Sequence, residues 1–147
     1  MRRREAGCTA VSASTFYASA GMGRKVQAQA LVASDGFSAR YDLDRIRGVF
    51  SRPEHKLAGQ SYQGKALLLD AAKGGVATAW MLYEMTARSV VPAALVLNRV
   101  NPIMVQGAAL AGFTMISGFE TDITKAIPNG AMVEIDPSGE RPFIRVL

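Results

Sequence analysis

The segment from Gly64 to Met85, GKALLLDAAKGGVATAWMLYEM, leads an apolar run through a glycine pair into a helix-forming stretch. A bend of this kind can hold a negative charge. Gly74 and Gly75 leave two backbone amides with no side chain over them, and a helix starting there adds the positive end of its dipole. Lys73 adds a cation and Thr78 a hydroxyl. The ligand that suits this chemistry is a carboxylate or a phosphate. The pattern is not a P-loop, whose lysine follows the second glycine, and it contains no GxGxxG. A strand-to-helix bend also calls for glycine on steric grounds alone, so a purely structural turn remains open.

Two further stretches carry reactive groups. RPEHKLAGQS, residues 52–61, gathers His55 with a glutamate, two cations, a glutamine and a serine. It could supply a general acid or base through His55, contact a substrate, or cap a cleft. No second histidine and no cysteine stands at catalytic spacing, and a lone loop histidine is more often solvated or packed. NRVNPIMVQGAALAG places Asn98 at the C-terminal end of a strand and Asn101 at the start of a helix, on the side of a parallel sheet where ligands bind. Asn101 reads more readily as a helix cap than as a ligand contact.

The whole-chain properties set limits on these sites. A chain of 147 residues, 49% hydrophobic, closes a single core. The formal net charge is +5, but Arg2, Arg3 and Arg4 against Glu5 account for +2 of it within the first 23 residues. No basic run interleaved with aromatics follows, which argues against nucleic acid and for a mild attraction to an acidic partner or substrate. Cys8 is the single cysteine and His55 the single histidine. An internal disulfide is excluded, and so is a self-contained zinc or iron–sulfur site of the usual kind; no metal ligands are expected here. A reducing, cytoplasmic setting fits. No apolar run approaches the roughly 20 residues that a membrane span needs.

The elements that must position these residues follow from pattern. Residues 1–23, rich in Ala, Ser and Thr with a basic start, read as a flexible extension, a transit-peptide-like leader, or the product of a start codon upstream of Met22, with the fold expected over 24–147. Residues 26–33 alternate and then become apolar, a first strand. Residues 35–61 hold four glycines or prolines and little period, so mostly loop with one short strand is expected. Two short apolar runs, 65–70 and 93–98, read as buried strands joined by a helix over 77–88, a crossover that makes them parallel. Asn101 and Pro102 open a short helix that Gly112 ends. A strand in FTMISG, a helical turn in ETDITKAI, and strands in AMVEID and RPFIRVL complete the chain.

Taken in order, GFSARYDLDRIRGVFSRPEHKLAGQSYQGKALLLDAAKGGVATAWMLYEM and VPAALVLNRVNPIMVQGAALAGF resemble the swivelling small domain of aconitase X. The most specific parts are HKLAGQSYQGKALLL and the PAALVLN and NPIMVQGA blocks, and the similarity spans roughly Lys25 to Val146. The resemblance implies an α/β fold, a swivelling β/β/α domain with a small barrel-like sheet flanked by helices. It implies a lyase, a dehydratase acting on a small hydroxy acid such as mevalonate 5-phosphate or cis-3-hydroxyproline. The chain would be the small subunit of a heterodimer, its large catalytic partner holding the iron–sulfur centre where one is present. Family members usually show Pro-Ser-x-Arg-Gly-Ser-x-x-x-Ser after the central strand, the serine after the glycine being the base. Here DAAKGGVATA puts Lys73 at the arginine, keeps Gly74, and replaces the two later serines by Gly75 and Ala79. Thr78 and Lys73 are then the groups near enough to take a catalytic role, with Gly74, Gly75, His55 and Asn98 as substrate contacts. The alternative is a non-catalytic anion-binding or regulatory module that kept the fold.

Overall fold

The computed structural model describes residues 15–36, 42–71, 76–138 and 141–147, with backbone alone for 76–79. Seven strands close a barrel in the order β1 (Thr15–Met22), β7 (Met115–Phe119), β6 (Ala94–Arg99), β5 (Ala66–Ala71), β2 (Val26–Val32), β8 (Met132–Asp136) and β9 (Phe143–Val146), and β9 pairs back onto β1. Strands β2, β5, β6 and β7 run parallel, while β1, β8 and β9 join antiparallel. The parallel half exists because two helices lie in the connections: α1 (Val76–Ala87) joins β5 to β6, and α2 (Pro102–Ala111) joins β6 to β7. A parallel pair cannot be joined by a tight turn and needs such a crossover. The expected α/β barrel flanked by helices is the observed architecture.

Side-chain alternation divides the core into two. Leu68, Val96, Ile116, Val133, Ile135 and Ile144 form one cluster with a belt of small residues; in that belt Ala30 pairs with Ala66 and Ala66 with Ala94. Their strand neighbours Leu67, Leu69, Leu95, Leu97 and Met115 point the other way and pack with Leu82 and Met85 of α1 and Met104, Ala108 and Ala111 of α2. Successive strand residues face opposite sides, so a run such as Leu67, Leu68 and Leu69 feeds the barrel interior and the helical layer at once. That is why β5 and β6 read as continuous apolar runs instead of alternating ones.

Local signals place the ends. Asn101 caps α2, its side-chain oxygen accepting from the Met104 N–H at 2.9 Å, with Pro102 in the first turn. Gly112 at φ +78 closes it in the left-handed conformation that glycine adopts without strain.

Two expectations change. The barrel does not begin near Arg24: Thr15–Met22 is strand β1, pairing with β7 through Ala18, Ala20, Gly21 and Met22 and with β9 through Thr15, Phe16 and Tyr17. Without it two strands would expose unpaired edges. Residues 1–14 lie outside the described residues. The stretch after β2 holds two short strands instead of one, β3 (Leu43–Asp44) and β4 (Val49–Phe50), in a small hairpin. Its followers Leu57 and Tyr62 are buried with Phe50 against the outer cluster. Burial pushes the Tyr62 phenol up to about 12, and its hydroxyl has no hydrogen-bond partner among the described residues.

Candidate active-site rim

The C-terminal ends of the parallel strands β2, β5, β6 and β7 gather at one end of the barrel, where polar residues replace the apolar runs. Ser34 and Asp35 follow β2, Asp70 ends β5, Asn98 and Arg99 end β6, and Asp122 caps the short helix α3 (Ile123–Ala126) that follows β7. Carboxyl ends of parallel strands form the ligand-binding edge of such sheets.

One side chain ties three elements together. Asn98 Nδ2 donates to Asp70 Oδ1 at 3.0 Å and to Asp122 Oδ1 at 2.8 Å, while its Oδ1 accepts from the Ile123 N–H at 2.9 Å. Arg99 Nη2 donates to the second Asp70 oxygen at 3.0 Å. Asp122 also accepts from the Thr124 N–H at 3.0 Å and the Thr124 hydroxyl at 2.6 Å. The Thr124 hydroxyl, with that of Asn98's amide next, holds the Asp122 carboxyl below the usual range. Thr124 Oγ1 is 3.0 Å from Ser34 Oγ, which carries the network to β2.

Next to it stands a second frame. Burial opposes charge on Asp35, but the backbone N–H groups of Gly36 and Lys56, helped by the Arg52 guanidinium, outweigh it and lower the carboxyl. The Asp35 carbonyl accepts from the Asp70 N–H at 2.8 Å, linking the two frames. Arg52 Nε donates to Asp42 Oδ1 at 2.5 Å.

The structure places His55, expected as a substrate contact, inside the loop that follows β4. Its side chain is fully buried, Nδ1 accepts from the Leu57 N–H at 3.0 Å, and Nε2 lies 2.9 Å from the Gly36 carbonyl, which only accepts. The ring therefore carries its proton on Nε2 and has no nitrogen left for a ligand. It also stacks on Phe50 at 4.6 Å. Asn98 does reach the rim, with its amide engaged by the neighbouring carboxylates. Lys73, Gly74 and Gly75, and the side chain of Thr78, lie outside the described residues; Thr78 itself is the third residue of α1. Positions 72–75 follow Ala71, the last residue of β5 and the neighbour of Asp70 in the chain.

Asp70, Asp122, Arg99, Asp35 and Thr124 were not anticipated. Each is a common polar residue at or near an element end, and only the topology brings positions 70, 98 and 122 into contact; the signal available was that Asp70 and Asn98 each follow an apolar run. Among the described residues no group of three His, Cys, Asp or Glu side chains could hold a metal ion, so these residues do not fit an iron–sulfur cluster. No described helix is long and apolar enough to cross a membrane.

Comparison with known proteins agrees with this architecture. The family model for the aconitase X swivel domain matches residues 15–144, so its first matched residue is the first of β1. The phosphomevalonate dehydratase small subunit of Methanopyrus kandleri is 30% identical over 78% of this chain and 85% of its own length. The protein of the same name from Pyrococcus abyssi is 27% identical over 84% of this chain and 95% of its own. The crystal structure of Thermococcus kodakaraensis aconitase X in its holo-form has the same fold, with a TM-score of 0.75 at 21% identity over 86% of this chain and 97% of that one. With the family model spanning the barrel from β1 into β9, this chain belongs to the aconitase X swivel domain family.

Proposed function

We propose that the chain is the small subunit of an aconitase X-type hydro-lyase, working in the cytoplasm with a large catalytic subunit and presenting its β5–α1 turn to a small anionic hydroxy acid. The observation that carries this reading is the rim itself: β5 ends at Asp70 and Ala71, α1 starts at Val76, and the Asp70–Asn98–Asp122 frame fixes the strand end that precedes residues 72–75. The names of the curated relatives support the subunit role.

Dehydration removes a proton next to a carboxylate and expels hydroxide, so it needs a base and an acid. On this reading the amides of Gly74 and Gly75 and the first-turn N–H groups of α1 hold the substrate's carboxylate or phosphate. Lys73 adds charge, and Thr78 or Lys73 handles the proton in place of the serine that the family resemblance implies at position 75. Lewis-acid help for the leaving hydroxide is assigned to the partner, together with any iron–sulfur centre, since the described residues make no ligand set for one.

The test is reconstitution with the large subunit from the same genome, assayed first on mevalonate 5-phosphate and then on cis-3-hydroxyproline. Water elimination by the mixture and by neither chain alone is expected, and Thr78→Val should lower kcat with the pair intact. Full activity of the isolated chain overturns the subunit role. Substrate binding without turnover in the mixture supports the anion-binding module that Gly75 in the serine's place favours.

A further inference from the structure

Helix α1 turns Leu82 and Met85 into the core and shows its opposite face to solvent. That face carries aromatics where charged residues are usual: Trp80 is 69% exposed and Tyr83, one turn on, is 55% exposed. Arg45 Nε pairs with Glu84 Oε1 at 3.3 Å, which brings the β3–β4 turn up beside this face. At the tip of the turn Ile46 is 73% exposed.

The turn is pinned. Asp44 Oδ1 accepts from the N–H groups of both Ile46 and Arg47 at 3.1 Å, and Gln63 Nε2 donates to the Arg47 carbonyl at 3.2 Å. Gly48 sits at φ +74 with Gln63 where a Cβ would stand. Ile46 is thus held outward by a built structure. Trp and Tyr are enriched in binding hot spots, and a side chain already held in place loses little freedom on binding.

Two features on the page choose the occupant. Arg47 lies beside Ile46, and Arg88, the first residue after α1, donates its N–H to the Glu84 carbonyl at 3.0 Å; with the Glu84 carboxylate paired to Arg45, these two cations fringe the patch. A second copy meeting it across a two-fold axis would set like charges against each other. The patch is also continuous with the rim: Trp80 stands four residues into α1, about 6 Å along the axis from its first residue. A chain that closes over the end of β5 and the start of α1 meets Trp80 next.

We propose that this face, Trp80, Tyr83 and Ile46 fringed by Arg47 and Arg88, is the seat of the large subunit, whose matching surface is apolar with an acidic border. The proposal rests on the small-subunit reading above. Because Trp80 is the single tryptophan of the chain, 5-fluorotryptophan gives one fluorine resonance that reports this face alone.

The labelled chain is mixed with unlabelled large subunit from the same genome, with sedimentation velocity on the same sample. The expected result is a 1:1 complex in which the resonance shifts and loses its sensitivity to solvent. Trp80→Ala and Ile46→Asp, both at exposed positions that leave the fold intact by circular dichroism, should each weaken Kd by about tenfold or more. Leu110→Ala, on the outer face of α2, should not. A complex whose resonance stays solvent-sensitive, or whose variants bind like the parent, overturns the proposal and leaves the subunit reading standing. So does self-association of the chain alone that Trp80→Ala abolishes. Failure of the parent chains to associate overturns the subunit reading and this seat with it.

Discussion

Asn98 Nδ2 lies 2.8 Å from Asp122 Oδ1, and the same amide donates to Asp70 at 3.0 Å, so one neutral side chain separates two carboxylates at the rim. Asn98→Ala should cost about 1–3 kcal/mol, because two donors to charged groups disappear. Asn98→Asp should cost more at neutral pH. The new carboxyl, facing Asp70 and Asp122, has a folded-state pKa raised above its unfolded value of about 3.9. The folded variant then binds more protons than the unfolded one, and its deficit shrinks as pH falls through the raised value. Urea unfolding at a series of pH values checks this; a deficit independent of pH contradicts the arrangement.

Asp122 and Asp35 behave in the opposite sense. Both carboxyls are lowered in the folded state, Asp122 first by the Thr124 hydroxyl and Asp35 by amide and cation contacts that outweigh its burial. Their stabilisation is present above the unfolded value near 3.9 and is lost as pH falls through the folded values. Thr124→Val removes the 2.6 Å bond to Asp122 and the contact with Ser34. The gap in Tm between parent and variant should be full near neutrality and narrow below about pH 4. A gap that stays constant into acid would mean Thr124 acts through packing alone.

How far the sequence reaches can be judged residue by residue. The β5 and β6 strands were legible to within a residue, since runs such as Leu67–Leu69 are apolar on both faces for a reason the barrel explains. The α2 boundaries were legible because Asn101, Pro102 and Gly112 each have a local physical role. Strand β1 was not, because TFYASAGM carries small and polar residues and buries only Ala18 fully, so its identity comes from pairing with β7 and β9. The rim was legible at Asn98 and not at Asp70 or Asp122, whose meeting depends on strand order and on no spacing along the chain.

His55 separates a structural from a catalytic role by experiment. Both ring nitrogens are engaged and the ring stacks on Phe50, so His55→Ala should destabilise the chain by about 2–4 kcal/mol from lost hydrogen bonds and a cavity. In the reconstituted enzyme, activity per folded molecule and its pH profile should be unchanged. A variant of unaltered stability that loses one limb of the pH profile would restore His55 as an acid or base.

Tyr62 tests another buried polar group of the stretch between β4 and β5. Its hydroxyl is fully buried with no partner among the described residues, and an unpaired buried donor costs about 1–3 kcal/mol. Tyr62→Phe should therefore raise the urea midpoint with an unchanged slope, while Tyr62→Ala lowers it by the usual aromatic cavity cost of about 3–5 kcal/mol. A Tyr62→Phe variant less stable than the parent would reveal a bond that the hydroxyl makes.

Strand β1 makes the last prediction. It is the one strand that joins β7 to β9, and Ala18 lies in the inner cluster with Leu68, Val96 and Ile116. A chain starting at Met22 lacks nearly all of it and leaves two strand edges open, which favours aggregation over folding. Such a chain should lose its cooperative unfolding transition. Ala18→Asp makes the same point without shortening the chain: a carboxylate forced among aliphatic side chains should cost more than about 3 kcal/mol. Ala20→Asp, two residues on and exposed, should change stability by less than about 0.5 kcal/mol. Equal tolerance of the two aspartates would place β1 outside the barrel and return the start of the fold to Arg24.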